Sequence, residues 1–176
     1  MKRVLVLIVA AGLAVAVAVS GLDTADVETF LRQRRVLGPI VFVLVMWGLQ
    51  PLGVPGVVFM IPAALVWPAP AAIGLSWLGN MGASLLAFAF ARWMAHEWAQ
   101  ARLPERLRRW DARLASGGTA EVAALRLVTG QLTPADWLLG VSSVRLRPFL
   151  IGTAIGIVPL IVLVVVLGAS AGSLLL

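Results

Sequence analysis

Cysteine is absent from this chain. Disulfides, thiolate zinc sites, iron–sulfur clusters and a cysteine nucleophile are therefore excluded. Histidine occurs only at His96, which we interpret as a solvated surface residue because no second histidine or cysteine completes a metal site. Ser142 and Ser143 lack the surroundings of a nucleophile elbow, and there is no glycine-rich nucleotide loop. The sequence thus predicts neither an enzyme nor a bound metal or other cofactor.

Charge is scarce as well. Charged residues make up 12% and hydrophobic residues 61% of the 176 residues, whereas soluble domains have about 25% and about 45–50%. With a mean hydropathy of +0.99, the solvent of this chain must be a bilayer. The net charge of +6 then indicates loops beside anionic lipid headgroups rather than nucleic acid, because no soluble platform is present. We expect membrane lipids as partners and no nucleic acid.

The N-terminal region predicts two membrane-associated elements. Residues 4–19 form an uncharged apolar run, which we interpret as a retained span rather than a signal peptide cleaved near Ala18. The segment 23–39 predicts a short interfacial helix with acidic residues in its first turn, closed by its final Gly-Pro pair. We therefore divide the chain into an N-terminal span with its interfacial helix (1–37) and a membrane domain (38–176).

A first hairpin follows, and then a long helix. Residues 40–49 and 57–66 are apolar but about half as long as a span, and the Gly- and Pro-rich stretch 50–56 separates them. This pattern is typical of a re-entrant hairpin. The long helix is predicted over 71–92. Four small residues recur along one of its faces, which predicts close helix packing and allows a homo-oligomer: Gly79, Ala83, Ala87 and Ala91.

Residues 94–118 are the one substantial polar stretch and predict an amphipathic helix on the cytoplasmic leaflet. Its basic side is formed by Arg102, Arg106, Arg108, Arg109 and Arg113. Its apolar stripe is formed by Leu103, Leu107, Trp110 and Leu114.

The C-terminal third predicts a second hairpin and a last span. Short apolar arms at 122–128 and 137–141 flank the breaker 129–136. The last span is predicted over 149–167, with small residues at four-residue spacing: Gly152, Gly156, Gly168 and Gly172.

The distribution of basic residues predicts the orientation. Nine of fourteen lie between Arg92 and Arg147, so the positive-inside rule places the N-terminus and the loop 94–118 in the cytoplasm. The two hairpins then enter from opposite sides, as in the inverted repeats of transporters. We predict an all-α polytopic protein of the bacterial inner membrane, with about three full spans and two opposed re-entrant hairpins.

Several segments together resemble the DedA/VTT superfamily of SNARE-associated Golgi protein-like membrane proteins, over about Gly38 to Gly172. The segments that carry the resemblance are Pro51-Leu52-Gly53-Val54-Pro55-Gly56, the Gly74 to Ala83 helix ending in Phe90-Ala91-Arg92, Leu125-Arg126-Leu127, and Val144 to Thr153 with Gly156 and Pro159. The resemblance implies two facing re-entrant loops and lipid handling, either phospholipid scrambling or recycling of a polyprenyl-phosphate carrier.

The sequence departs from that family at two places. Bacterial relatives usually have Arg-Phe-x-Pro and a second Arg in the second hairpin, whereas Leu127 follows Arg126 here and neither proline nor second arginine appears by Leu132. The first hairpin has no carboxylate of the kind thought to couple relatives to protons and offers only Gln50.

The candidate site lies at the hairpin tips. Either Arg126 binds a lipid phosphate in a wet groove while Asp136 tunes it or titrates, or the two form an ion pair that fixes the hairpin. A charge at bilayer depth costs about 2.5–3.5 kcal/mol and therefore needs a partner or a function. The other predicted pathway residues are Pro55, Gly56, Gly130, Thr133, Asn80 and Arg92. For Asn80 an interhelical hydrogen bond is the alternative, and for Arg92 snorkelling to the interface.

These features predict a lipid transporter, either a scramblase or a carrier-lipid flippase, with a polar headgroup groove between the hairpins. The alternatives are a membrane scaffold or assembly factor that uses the small-residue faces, and a porter for small anions.

Overall fold

The computed structural model describes residues 29, 31, 33–101, 104–116 and 118–175. The predicted first span lies outside these residues, as does most of the predicted interfacial helix. The described part is helical and contains no strand. Two apolar helical stretches in it, Ala69–Glu97 and Leu146–Ser170, have the length and composition to cross a membrane.

The helices follow one another with short connections. They are α1 (Leu37–Leu49), extended by a 3₁₀ turn (Gln50–Leu52), α2 (Val57–Val66), α3 (Ala69–Ala101), α4 (Glu105–Ser116), α5 (Thr119–Thr129), α6 (Thr133–Val141), α7 (Leu146–Gly156) and α8 (Val158–Leu175).

The first hairpin is α1 and α2 with the turn between them. α1 begins at Leu37, earlier than predicted, because Pro39 falls in the first turn, where its missing N–H breaks no helical hydrogen bond. The predicted breaker is confirmed: the 3₁₀ turn ends at Gly53, whose φ of 111° is left-handed. α2 spans the predicted residues.

The predicted boundary between the long helix and the polar stretch was wrong. α3 continues past Arg92 to Ala101, since Ala, Met, Glu and Gln beyond Arg92 favour helix. The amphipathic helix is therefore only α4, which begins after Pro104. Its Leu114 is 1% exposed, while Arg108 and Arg113 face outward, as the stripe predicts.

The second hairpin has a shorter tip than predicted. α5 continues to Thr129 and α6 starts at Thr133, so the loop is only 130–132. Pro134 lies in the first turn of α6, where it starts the helix rather than interrupting it. The predicted last span is divided at Ile157 into α7 and α8.

Two apolar cores lie along α3. One joins α1, α2 and α8 around Met46, Met60 and Ile161; the other joins α5, α6 and α7 around Leu139 and Phe149. The hairpin α1–α2 packs on α3 and α8, α5 packs on α7, and α6 packs on α3. The first hairpin therefore packs against α3 and α8, and the second packs against α3 and α7. α3 contacts both hairpins and connects the two halves of the structure.

The predicted small-residue faces are confirmed as packing faces. Ala83, Ala87 and Ala91 of α3 are at most 5% exposed, and a Cβ on Gly140 of α6 would lie 2.7 Å from the Ala91 Cβ. A Cβ on Gly152 of α7 would lie 2.6 Å from a backbone oxygen of α5. These faces therefore pack against other helices of the same chain.

Candidate functional site

A polar stripe runs along one side of α3. Ser76, Asn80 and Ser84 recur at four-residue spacing and are each at most 1% exposed. The Asn80 Nδ2 donates to the Ser76 backbone oxygen at 2.6 Å. Sequence reasoning singled out Asn80 and missed both serines, although polar residues at every fourth position of an apolar helix indicate one polar face.

The second hairpin brings a buried ion pair to this stripe. Arg126 of α5 is 0% exposed, and its Nη2 donates to the Asp136 carboxylate of α6. Its Nε donates to Thr153 Oγ1 of α7 at 3.3 Å, and the guanidinium lies 5.6 Å from the centroid of the Phe149 ring. The Arg126–Asp136 pair is one of the two predicted arrangements. Thr153 is a partner that the sequence did not reveal.

The tips of the two hairpins meet beside the ion pair. Thr133 Oγ1 donates to the Gln50 backbone oxygen at 2.7 Å, across 83 residues of sequence. Gly56 lies against α3 and the second tip: a Cβ there would collide with Asn80 Oδ1 and lie 3.1 Å from the Gln131 Cβ. Gly56 thus lacks a side chain because Asn80 occupies the space.

Ser84 links the stripe to the second hairpin. Its Oγ donates to Gln131 Oε1 at 3.2 Å. Buried polar groups therefore lie at both hairpin tips and on α3, α5, α6 and α7. We call it the polar centre: Gln50, Ser76, Asn80, Ser84, Arg126, Gln131, Thr133, Asp136 and Thr153.

The polar centre contains buried atoms that no described protein group satisfies. They are Gln50 Nε2, Ser76 Oγ, Asn80 Oδ1, Arg126 Nη1 and Gln131 Nε2. Each such atom costs about 1–3 kcal/mol when it lacks a partner. Because native structures contain few of them, their concentration at one place indicates a position that water or a polar ligand occupies.

The chemistry of the polar centre suits an oxyanion. Three of the unsatisfied atoms are N–H donors, on Gln50, Arg126 and Gln131, and guanidinium and amide N–H groups bind phosphate oxygens. Asp136 balances the charge of Arg126, which lowers the cost of burying that cation. No group of three or more His, Asp or Glu side chains suited to a metal occurs among the described residues.

Arg92 lies outside the polar centre, at the base of the second hairpin. Its guanidinium donates to the backbone oxygens of Gly140 (2.6 Å), Ser142 (2.8 Å) and Val144 (2.7 Å). It therefore caps the end of α6. His96 is half-buried beside it rather than fully solvated, with Nδ1 2.9 Å from the Val141 oxygen.

The remaining predicted pathway residues serve the tips. Gly130 has a φ of 59°, and a Cβ on it would lie 2.6 Å from Leu160 Cδ2. Pro55 is exposed next to Gly56. The structure therefore brings Arg126, Asp136, Asn80 and the two hairpin tips together.

Helices long and apolar enough to span a bilayer, with a polar centre enclosed between two helical hairpins, define a helical membrane protein. The VTT domain family model matches residues 54–170, and the chain belongs to that family, the DedA/SNARE-associated Golgi protein family, as the sequence resemblance predicted. The family is membrane-associated and is generally linked to membrane transport or lipid-related function. No curated protein and no solved structure matches the chain.

Proposed function

We propose that the protein is a lipid transporter, a scramblase or a carrier-lipid flippase, whose headgroup site is the polar centre. The observation that carries the proposal is the meeting of both hairpin tips at Arg126 and Asp136, where several buried donors have no protein partner. A headgroup crossing the bilayer needs polar partners at depth, and this cluster supplies them.

Helix lengths support a re-entrant arrangement. α1 has 13 residues and α5 has 11, so they are about 20 Å and about 16 Å long, whereas the hydrocarbon core is about 30 Å thick. Neither arm crosses that core by itself. If each hairpin starts at its own membrane surface, both tips end near the midplane, where irregular backbone is stable only against protein or a wet cavity.

The direct test is lipid translocation in proteoliposomes. Purified wild-type protein is reconstituted without an energy source, and movement of a fluorescent phospholipid is compared with that of a fluorescent polyprenyl phosphate. We expect one or both lipids to move faster than in protein-free vesicles. If a lipid moves only after a proton gradient is imposed, the protein is a coupled flippase rather than a scramblase.

A charge-free double variant separates function from structure. Replacing a buried ion pair by apolar residues of similar volume is often neutral or stabilising, whereas removing one partner leaves an uncompensated charge. Arg126→Met with Asp136→Leu should therefore fold and yet lose translocation. A folded double variant that transports at the wild-type rate would show that the ion pair only fixes the hairpin.

The rival function is a scaffold that moves no lipid. Wild-type vesicles without translocation of either lipid, with or without a proton gradient, would favour it. Entry of a small anion without lipid movement would favour the anion porter.

A further inference from the structure

A groove lies on another side of the molecule, where none of the polar-centre residues lines it. Its volume is about 530 Å³. Pro39 of α1, Trp67 before α3, and Ala71 and Leu78 of α3 are among its lining residues, and Arg35 supplies its one charge among the described residues. The groove is therefore mainly apolar, and Arg35 adds a positive charge to it.

The floor of the groove is open at Gly74. A Cβ on Gly74 would meet no atom of the described residues within 4 Å, whereas Met46 and Trp47 fill the space beside Gly79 and Gly82. Glycine inside a helix is less favourable than alanine. At Gly79 and Gly82 packing within the chain explains the glycine. At Gly74 none of the described residues fills the corresponding space.

The walls of the groove are held in place by the core. The Trp67 ring contacts Phe42 edge-on with centroids 5.1 Å apart, and Trp47 Nε1 donates to the Leu78 oxygen at 3.4 Å. From Ala71 to Leu78 the groove follows α3 for about 10 Å. This length is about a third of the thickness of a bilayer's hydrocarbon core.

Arg35 sets the chemistry of the occupant. It is exposed and lies just before α1, and a guanidinium binds phosphate oxygens with charge-assisted hydrogen bonds. An apolar groove with a phosphate-binding group fits an amphiphile that has an apolar chain and a phosphate. We infer that the groove holds one acyl chain of an anionic phospholipid whose phosphate binds Arg35. This site is separate from the proposed transport site and does not depend on transport.

The selectivity of the site must come mainly from Arg35. A lipid tail that enters the groove leaves one apolar environment for another, so burial of its methylene groups contributes little. A basic residue near the surface of an anionic membrane contributes about 1 kcal/mol, which corresponds to about a fivefold preference for an anionic over a zwitterionic lipid.

Photo-crosslinking tests this site in the full chain. The protein is reconstituted in phosphatidylcholine vesicles containing a trace of phosphatidylglycerol or phosphatidylcholine with a diazirine in one acyl chain, and labelled peptides covering 67–78 are quantified by mass spectrometry. We expect about fivefold more labelling by phosphatidylglycerol. Arg35→Gln should abolish the preference, and Gly74→Leu should reduce labelling by both lipids.

Matched variants control for general effects. Arg34 is exposed beside Arg35 but does not line the groove, so Arg34→Gln should keep the preference. Leu163→Phe, at an exposed position of α8, should not change labelling of 67–78. Gly74→Leu places its Cβ in open space, and circular dichroism checks its fold.

Three results would overturn the inference: equal labelling by the two lipids in the wild type, a preference that survives Arg35→Gln, or labelling that Gly74→Leu leaves intact. Labelling reports occupancy of the groove, whereas translocation reports the polar centre. Failure of one proposal is therefore distinguishable from failure of the other.

Discussion

Arg126 contacts protein through two of its three guanidinium nitrogens, at Asp136 and Thr153, while Nη1 has no partner among the described groups. Arg126→Ala should lower the free energy of unfolding by about 3–5 kcal/mol, because it leaves the Asp136 charge buried alone. The double variant Arg126→Met with Asp136→Leu should remain within about 1 kcal/mol of wild type. Denaturant unfolding in detergent micelles measures both. Equal losses in the single and the double variant would contradict this account.

Gly56 offers a second test at a single residue. Gly56→Ala should destabilise the protein by about 1–3 kcal/mol, because the new methyl group collides with Asn80 Oδ1. Adding Asn80→Ala should recover part of that loss. Gly74→Ala is the matched control: its methyl group meets open space, so stability should stay the same or rise by up to about 1 kcal/mol. Thermal unfolding compares the three variants with the wild type.

Some residues of the polar centre could be predicted from the sequence, and others could not. Charges in apolar surroundings draw attention because their burial is costly, and Arg126 and Asp136 were predicted on that basis. Ser84 and Thr153 were not, since single hydroxyls are common in membrane helices. The contact between Gly56 and Asn80 and the Thr133–Gln50 hydrogen bond depend on tertiary packing, which local patterns do not encode.

At the scale of helices and connections, a carboxylate of α4 binds the connection that follows α6. Asp111 accepts hydrogen bonds from the Ser143 backbone N–H at 2.7 Å and the Ser143 hydroxyl at 2.5 Å. Asp111→Ala should weaken this attachment by about 1–3 kcal/mol. Trypsin should then cleave at the exposed arginines of α4 about fivefold faster or more, as measured by limited proteolysis of the reconstituted protein.

Glu105→Ala is the control for Asp111→Ala, since it removes a carboxylate from the same helix. Among the described residues, Glu105 forms an exposed pair with Arg108 at 3.7 Å, and such pairs contribute little to stability. Its cleavage rate should match the wild type. Equal acceleration in both variants would mean that charge, rather than the contact with Ser143, controls access to α4.

The helices were predictable where strong breakers flank them. α2 lies between a Gly- and Pro-rich turn and Trp67-Pro68, and its observed bounds are the predicted ones. The end of α3 was wrong because polar residues after Arg92 were treated as the end of the helix, although polarity changes its environment and not its propensity. The division at Ile157 was hidden in one apolar run, where periodicity carries no signal.

For the whole molecule, the prediction that remains open is the orientation. The native chain has no cysteine, so a single introduced cysteine reports its own side of the membrane. Arg34 and Arg113 are both exposed, and the positive-inside rule places them on opposite sides. An impermeant thiol reagent added to spheroplasts should label Arg34→Cys at once and Arg113→Cys only after permeabilisation. Labelling of both before permeabilisation would contradict the opposed hairpins.

The bond between Thr133 and the Gln50 backbone has a consequence for biosynthesis. The two partners are 83 residues apart, and translation at about 5–20 residues per second separates their emergence from the ribosome by about 4–17 s. In the later part of that interval, Gln50 and Asn80 are already made while Gln131 and Asp136 are not. The nascent first half therefore exposes polar groups that only the second half can cover. A transcript cut short before α6 should yield a product that membrane proteases degrade.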